Sequence, residues 1–182
     1  DPGQTEKETL GSGSAAAASG GVTSFLDMPN NIPAITTMAA MQEKMSRASA
    51  KCITNYGFFI GATDDNLDEL QAAVGSVGDA HSVPGICGIK VFMGSSTGEL
   101  LVDSEDSLTN IFANTAGLIA VHAEDQVRLK SRWPEFENRS DIAAHAEWRD
   151  SETALLATQR ATRLAQEHQH RLHILHLTSA LE

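Results

Sequence analysis

The chain has 182 residues and a formal net charge of −11 at pH 7, from 13 Lys and Arg against 24 Asp and Glu. Such an excess of carboxylates repels phosphate backbones and anionic membrane surfaces, which argues against nucleic-acid and membrane partners. With 41% hydrophobic residues, no run of about 18 apolar residues and the polar opening DPGQTEKE, a single domain over 1–182 is expected in a cytoplasmic setting, without transmembrane helix or signal peptide.

In chain order, residues 5–18 begin with Thr5 and Glu8 in the T-x-x-E spacing of a capping box and continue through alanines, which predicts a helix. GVTSFLDMP (21–29) is the first stretch rich in apolar and β-branched residues and predicts a strand. Residues 34–50 predict a helix, CITNYGFFIGA (52–62) a strand, and 64–74 another helix. GIKVFMG (88–94) and GLIAVHAE (117–124) predict the third and fourth strands. The polar insertion DQVRLKSRWPEFENRSDIAAHAEWR (125–149) reads as a long loop containing a short helix. DSETALLATQRATRLAQEHQ (150–169) has the strongest helical pattern, and RLHILHLTS (171–179) predicts the fifth strand.

Successive strand starts fall roughly thirty residues apart through the first four, the length of a strand with its crossover helix. Repeated βα units mean a parallel sheet covered on both faces, either a closed (β/α) barrel or an open doubly wound sheet; periodicity does not decide between them. GSGSAAAASGG precedes its strand and so is no dinucleotide loop. Cys52 and Cys87 fit no C-x-x-C spacing and sit beside apolar runs, so reduced, packed thiols are expected.

Chemistry in parallel α/β folds gathers at the C-terminal ends of the strands. The first strand ends in Asp27, Pro29 and Asn30, the third carries Lys90, the fourth ends in His122, Glu124 and Asp125, and the fifth holds His173 and His176. Singly, a strand-end histidine is more often a hydrogen-bonded core residue than a ligand, and a strand lysine can be reaching for solvent. Together, His122 and His176 would stand on neighbouring strands and could share one metal ion. His173, three residues before His176, is expected to point to the opposite face and to be structural.

Burial of Lys90 would drive it toward the neutral, nucleophilic amine. Two uses follow: a Schiff base with a carbonyl substrate, or reaction with carbon dioxide to a carbamate, an anion able to bridge two divalent metals. The nearby histidines favour the carbamate. His81, His145, His168 and His170 are expected to face solvent, with His145 and Arg149 able to shape a pocket. Glu124 and Asp125 either orient His122 or are simply solvated.

DPGQTEKETLGSGSAAAASGGVTSFLDMPNN, GIKVFMGSSTGELLVD, LIAVHAED and LHILHLTSA together resemble the cyclic amidohydrolases, and among them the dihydroorotase group. The resemblance implies an α/β fold, a (β/α)8 TIM barrel of the metal-dependent amidohydrolase type. It also implies a two-zinc site and reversible, metal-assisted hydrolysis of dihydroorotate to N-carbamoyl-L-aspartate in pyrimidine biosynthesis. Lys90 matches the carboxylated lysine that bridges the metals, His122 and His176 match the ligands of the second metal, and Asn30 matches an asparagine that holds the substrate carboxylate. The expected partners are a small-molecule substrate and, for the intact protein, further copies of itself in a homodimer or larger homo-oligomer.

In that family an H-x-H-x-R strand comes immediately before a stretch like DPGQTEKE, and a catalytic aspartate comes from the last barrel strand; neither falls within the 182 residues. The chain is therefore expected to carry about strands two to six of a longer barrel polypeptide, and to hydrolyse dihydroorotate negligibly as an isolated segment. Alternatives are a related dihydropyrimidinase, hydantoinase or allantoinase, and a catalytically silent dihydroorotase-like scaffold.

Overall fold

The computed structural model describes residues 1–94 and 98–182; Ser95, Ser96 and Thr97 of the GSSTG stretch lie outside the described residues. Helix and strand alternate as α1 (Leu10–Ser19), β1 (Ser24–Asp27), α2 (Met38–Lys51), β2 (Asn55–Gly61) and α3 (Leu67–Val74). A short antiparallel hairpin follows, β3 (Gly75–Ser76) with β4 (Asp79–Ala80). The chain continues through β5 (Ile86–Phe92), α4 (Glu105–Asn114), β6 (Leu118–His122), α5 (Gln126–Phe136), α6 (Ile142–Trp148), α7 (Ser151–Glu167) and β7 (Arg171–Ile174).

The five apolar stretches form one parallel sheet in the spatial order β1-β2-β5-β6-β7, which is also their order along the chain. A doubly wound sheet reverses that succession at a switch point, whereas an unreversed run of parallel strands with helical crossovers is an arc of a (β/α) barrel. The barrel reading therefore holds over the open sheet. Among the described residues no helix is long and apolar enough to cross a membrane.

The two faces of the sheet differ. Phe58, Ile60, Ile89, Val91, Ile119 and Val121 point outward into a core closed by Met41 and Ala48 of α2, Leu70 of α3, Phe112 of α4 and Ala161 of α7. Residues of the opposite, inner parity include Lys90 and His122, registered against Ala120 and Phe92 respectively. Cross-strand partners share a face, so the sheet brings these polar groups together on one side. The outer strands β1 and β7 have a neighbour on one side only and alternate between exposed and half-buried residues.

Several elements differ from the sequence expectation. The first helix starts at Leu10, because Gln4 takes a positive φ of 50° and its carbonyl closes a turn onto Lys7 N at 3.0 Å. Its capping box is Thr9 with Ser12, each side-chain oxygen accepting from the other's backbone N–H, at 3.1 and 2.9 Å, in place of Thr5 with Glu8. The insertion holds two helices, α5 and α6, where one short helix is expected. His170 is only partly exposed: its ring meets Phe112 edge-on at 5.7 Å, and Nε2 lies 3.1 Å from Thr115 O. Cys52 and Cys87 are both free thiols, as expected.

Candidate metal centre

Lys90 sits on β5 between strands that are themselves paired on both sides, and is 2% exposed. Its Nζ donates to the carbonyl of Val91 at 3.0 Å and lies 3.8 Å from the centre of the Phe92 ring. Among the described residues no carboxylate forms an ion pair with it. Burial without a counter-charge lowers its pKa to about 7, so much of the population near neutrality is free amine.

His122 closes β6, and its ring packs against Phe92 at 5.9 Å. His176 lies beyond the end of β7, with a positive φ of 39°. That break in the strand corrects the expectation for His173. The register sets His173 beside Ala120, and hence in the row of Lys90 on the inner face, while Leu172 and Ile174 pack on the outer core. An uninterrupted pleat would turn His176 away from the site. Because the strand ends at Ile174, His176 returns instead, and its Nε2 comes to 3.0 Å from Nδ1 of His122.

The second nitrogen of His122, Nε2, lies 2.8 Å from Glu124 Oε2. Glu124 is gripped in turn by Arg149, whose Nε donates to Oε1 at 2.7 Å and whose Nη2 donates to Oε2. Burial pushes the Glu124 carboxyl up, but the hydrogen bonds from His122 and Arg149 outweigh it and hold the group at about 2. A carboxylate accepting from Nε2–H leaves Nδ1 of a neutral His122 with its lone pair free to act as acceptor or ligand. The basicity of His176 is lowered by burial, then by His122 and by Lys90, which places the lysine within electrostatic reach of the pair. His122, Glu124, His145, Arg149 and His176 line one cavity of about 450 Å³. The close backbone approach of Gly94 to this loop needs glycine, since a Cβ there would stand 2.3 Å from Glu124 O.

Asn30 is exposed at the end of β1 and lines a different cavity, of about 380 Å³, together with Asp27, Asn31 and Lys7. It is not brought into the cavity of the histidine pair. One group missed by sequence reasoning holds this loop: Lys44 of α2 is fully buried and donates to Asp27 Oδ2 at 2.8 Å, Asn31 Oδ1 at 2.7 Å and Met28 O at 3.0 Å. A signal was present, because Lys44 shares the i, i+3, i+7 stripe of Met41 and Ala48.

Among the described residues no group of three or more His, Cys, Asp or Glu side chains is arranged to hold a metal. The histidine pair offers two donors. Two nitrogens on one tetrahedral zinc stand about 3.3 Å apart, so the observed 3.0 Å fits with a few tenths of an ångström of opening. A buried amine that can become an anionic carbamate would supply the charge the pair lacks.

No protein-family model matches the chain. Over 98% of its length the chain is 29% identical to a dihydroorotase of Methanosphaera stadtmanae, of which it spans 39%. It is 32% identical to an allantoinase of Deinococcus radiodurans and 31% identical to a dihydroorotase of Halobacterium salinarum, spanning 40% of each. L-Hydantoinase (dihydropyrimidinase) from Arthrobacter aurescens superposes with a TM-score of 0.80 at 26% identity, over 93% of this chain and 37% of that one. The fold is thus that of an amidohydrolase barrel. More narrowly, the sequence relatives it matches are cyclic amidohydrolases, and the chain spans about two fifths of their length.

Proposed function

We propose that the intact protein is a zinc-dependent hydrolase of a cyclic amide, of dihydroorotase type, which opens dihydroorotate reversibly to N-carbamoyl-L-aspartate in pyrimidine biosynthesis. The observation that carries this reading is the approach of His122 Nδ1 and His176 Nε2 to 3.0 Å, beside a buried lysine held near a pKa of 7. His122 and His176 would hold one metal ion, and Lys90 would bridge to a second. For that bridge the free amine attacks the carbon of carbon dioxide, an N–C bond forms, and one N–H proton leaves to solvent, giving an anionic carbamate. Glu124 and Arg149 keep His122 in the tautomer that offers Nδ1. The family resemblance gives Asn30 the carboxylate of the substrate, which would require the substrate of the intact barrel to reach from the cavity of the histidine pair to that of Asn30. When bound, the metal pair supplies Lewis acidity and brings the pKa of a coordinated water toward about 7. A cytoplasmic setting and a homodimer or larger homo-oligomer go with this reading.

A second reading is a cyclic amidase for uncharged rings, supported by the Deinococcus radiodurans allantoinase and the Arthrobacter aurescens hydantoinase structure. Parallel assays of the zinc-loaded intact protein on dihydroorotate, dihydrouracil, hydantoin and allantoin separate the two. The highest kcat/KM is expected on dihydroorotate, and a preference for any uncharged ring would replace the first reading with the second. A protein that binds no zinc and turns over none of them would be a silent scaffold.

A further inference from the structure

We propose that Lys44 is a positioning residue for substrate binding, a buried ammonium that fixes the loop Asp27–Asn31 and, through it, the amide of Asn30. This rests on the reading of Asn30 as the group that holds the substrate carboxylate. Lys44 lies on the face of α2 that packs on the sheet, between Met41 and Ala48, where none of its side chain reaches solvent. A buried ammonium is costly unless every N–H finds an acceptor. All three do, and all three acceptors belong to one short loop: Asp27 Oδ2, Met28 O and Asn31 Oδ1. Below the ammonium, the Phe58 ring lies 4.7 Å away.

The geometry bears on Asn30 because the clamp seizes the chain on both sides of it. Upstream, Asp27 takes Lys44 on one oxygen and the backbone N–H of Met28 on the other, at 2.9 Å. Downstream, Asn31 is held by its side chain and by its N–H, which donates to Pro29 O at 2.8 Å. Asn30 itself makes no hydrogen bond among the described residues. Asn30 is exposed and lines its cavity, so its amide has nothing but its clamped neighbours to set its direction. An apolar residue of similar volume would join α2 to β1 at least as well, since buried ion pairs seldom out-stabilise packed methylenes. What the ammonium adds is direction, through three bonds with fixed acceptors.

The test is a double-mutant cycle in the zinc-loaded intact protein, with Lys44→Met, Asn30→Ala and the double variant. Lys44→Met conserves volume; it is expected to raise KM for dihydroorotate about tenfold, the worth of one well-placed hydrogen bond, with kcat and zinc content unchanged. In the Asn30→Ala background the same change should leave KM where Asn30→Ala alone puts it. If Lys44→Met does not fold, Asn31→Ala removes one arm of the clamp and should raise KM about threefold with the same dependence on Asn30. An unchanged KM in Lys44→Met, or an equal rise in both backgrounds, overturns the positioning role while leaving the Asn30 reading intact. If Asn30→Ala itself leaves KM unchanged, the Asn30 reading fails, and the positioning role with it.

Discussion

Nδ1 of His122 and Nε2 of His176 meet at 3.0 Å across 54 residues of sequence, while Nε2 of the same His122 is held 2.8 Å from Glu124. One ring thus has its rear nitrogen committed to a carboxylate and its front nitrogen turned to a second imidazole. Glu124→Gln keeps the shape but loses the charge that Arg149 and His122 share. It should lower zinc affinity of the intact protein by about 10- to 100-fold, and Arg149→Met by less, in competition with a chromophoric chelator. Equal affinity in all three proteins would mean that Glu124 is only a surface ion pair.

The buried amine of Lys90 makes a prediction about stability. Its folded-state pKa, about 7, lies below the ordinary 10.5, so between these values the unfolded chain holds a proton that the folded chain has released. The penalty on the folded state is complete below about pH 7 and fades as pH rises toward 10.5. With metal and carbon dioxide removed, Lys90→Met should therefore be more stable than the parent by a few kcal/mol at pH 6, on the order of the measured costs of buried charges. That advantage should shrink steadily in urea titrations between pH 7 and 10. A difference independent of pH would show that Lys90 is solvated.

Asp150 ties the insertion to α7. It accepts from the backbone N–H of Thr153 as N-cap and pairs with Arg128 and Arg132. The Arg128 hydrogen bond, stronger than the opposing effect of burial, holds its carboxyl well below the usual carboxylate range. A depressed carboxyl stabilises the fold above its unfolded pKa and ceases to do so as pH falls through its folded one. Asp150→Ala should cost about 2 kcal/mol at pH 7 through loss of the cap and the charged pairs, and the gap between variant and parent should narrow below about pH 4. Thermal melts across that range check it.

Gly94→Ala tests the backbone of the site. The added Cβ would meet Glu124 O at 2.3 Å, and backbone cannot step aside as a flexible side chain could. We expect about 2 kcal/mol of destabilisation and weaker zinc binding, because the displaced loop carries the partner of His122. A variant with unchanged melting temperature and affinity would show that β5 and the Glu124 loop move freely.

Much of this was readable in the sequence because the β-branched and aromatic runs that form β1, β2, β5, β6 and β7 are nearly continuous and sit between helical patterns. Lys90 was legible as a charge inside one such run, and His122 and His176 as polar residues toward the ends of two others. What escaped did so for physical reasons. α4 buries only Leu108, Ile111 and Phe112 among polar neighbours, too thin a stripe to be recognised. The orientation of His176 depends on a strand that stops two residues earlier, and strict alternation has no way to anticipate that stop. Lys44 belongs to no motif that would single it out, although its neighbours Met41 and Ala48 mark its face as buried.

The proposed bridge from Lys90 between the metal of His122 and His176 and a second metal rests on stoichiometry. Zinc content per chain of the intact protein, measured by atomic emission beside Lys90→Ala, decides it. Two zinc ions per chain are expected in the parent, with one or none in Lys90→Ala together with loss of dihydroorotate hydrolysis. Two zinc ions retained in Lys90→Ala would contradict it.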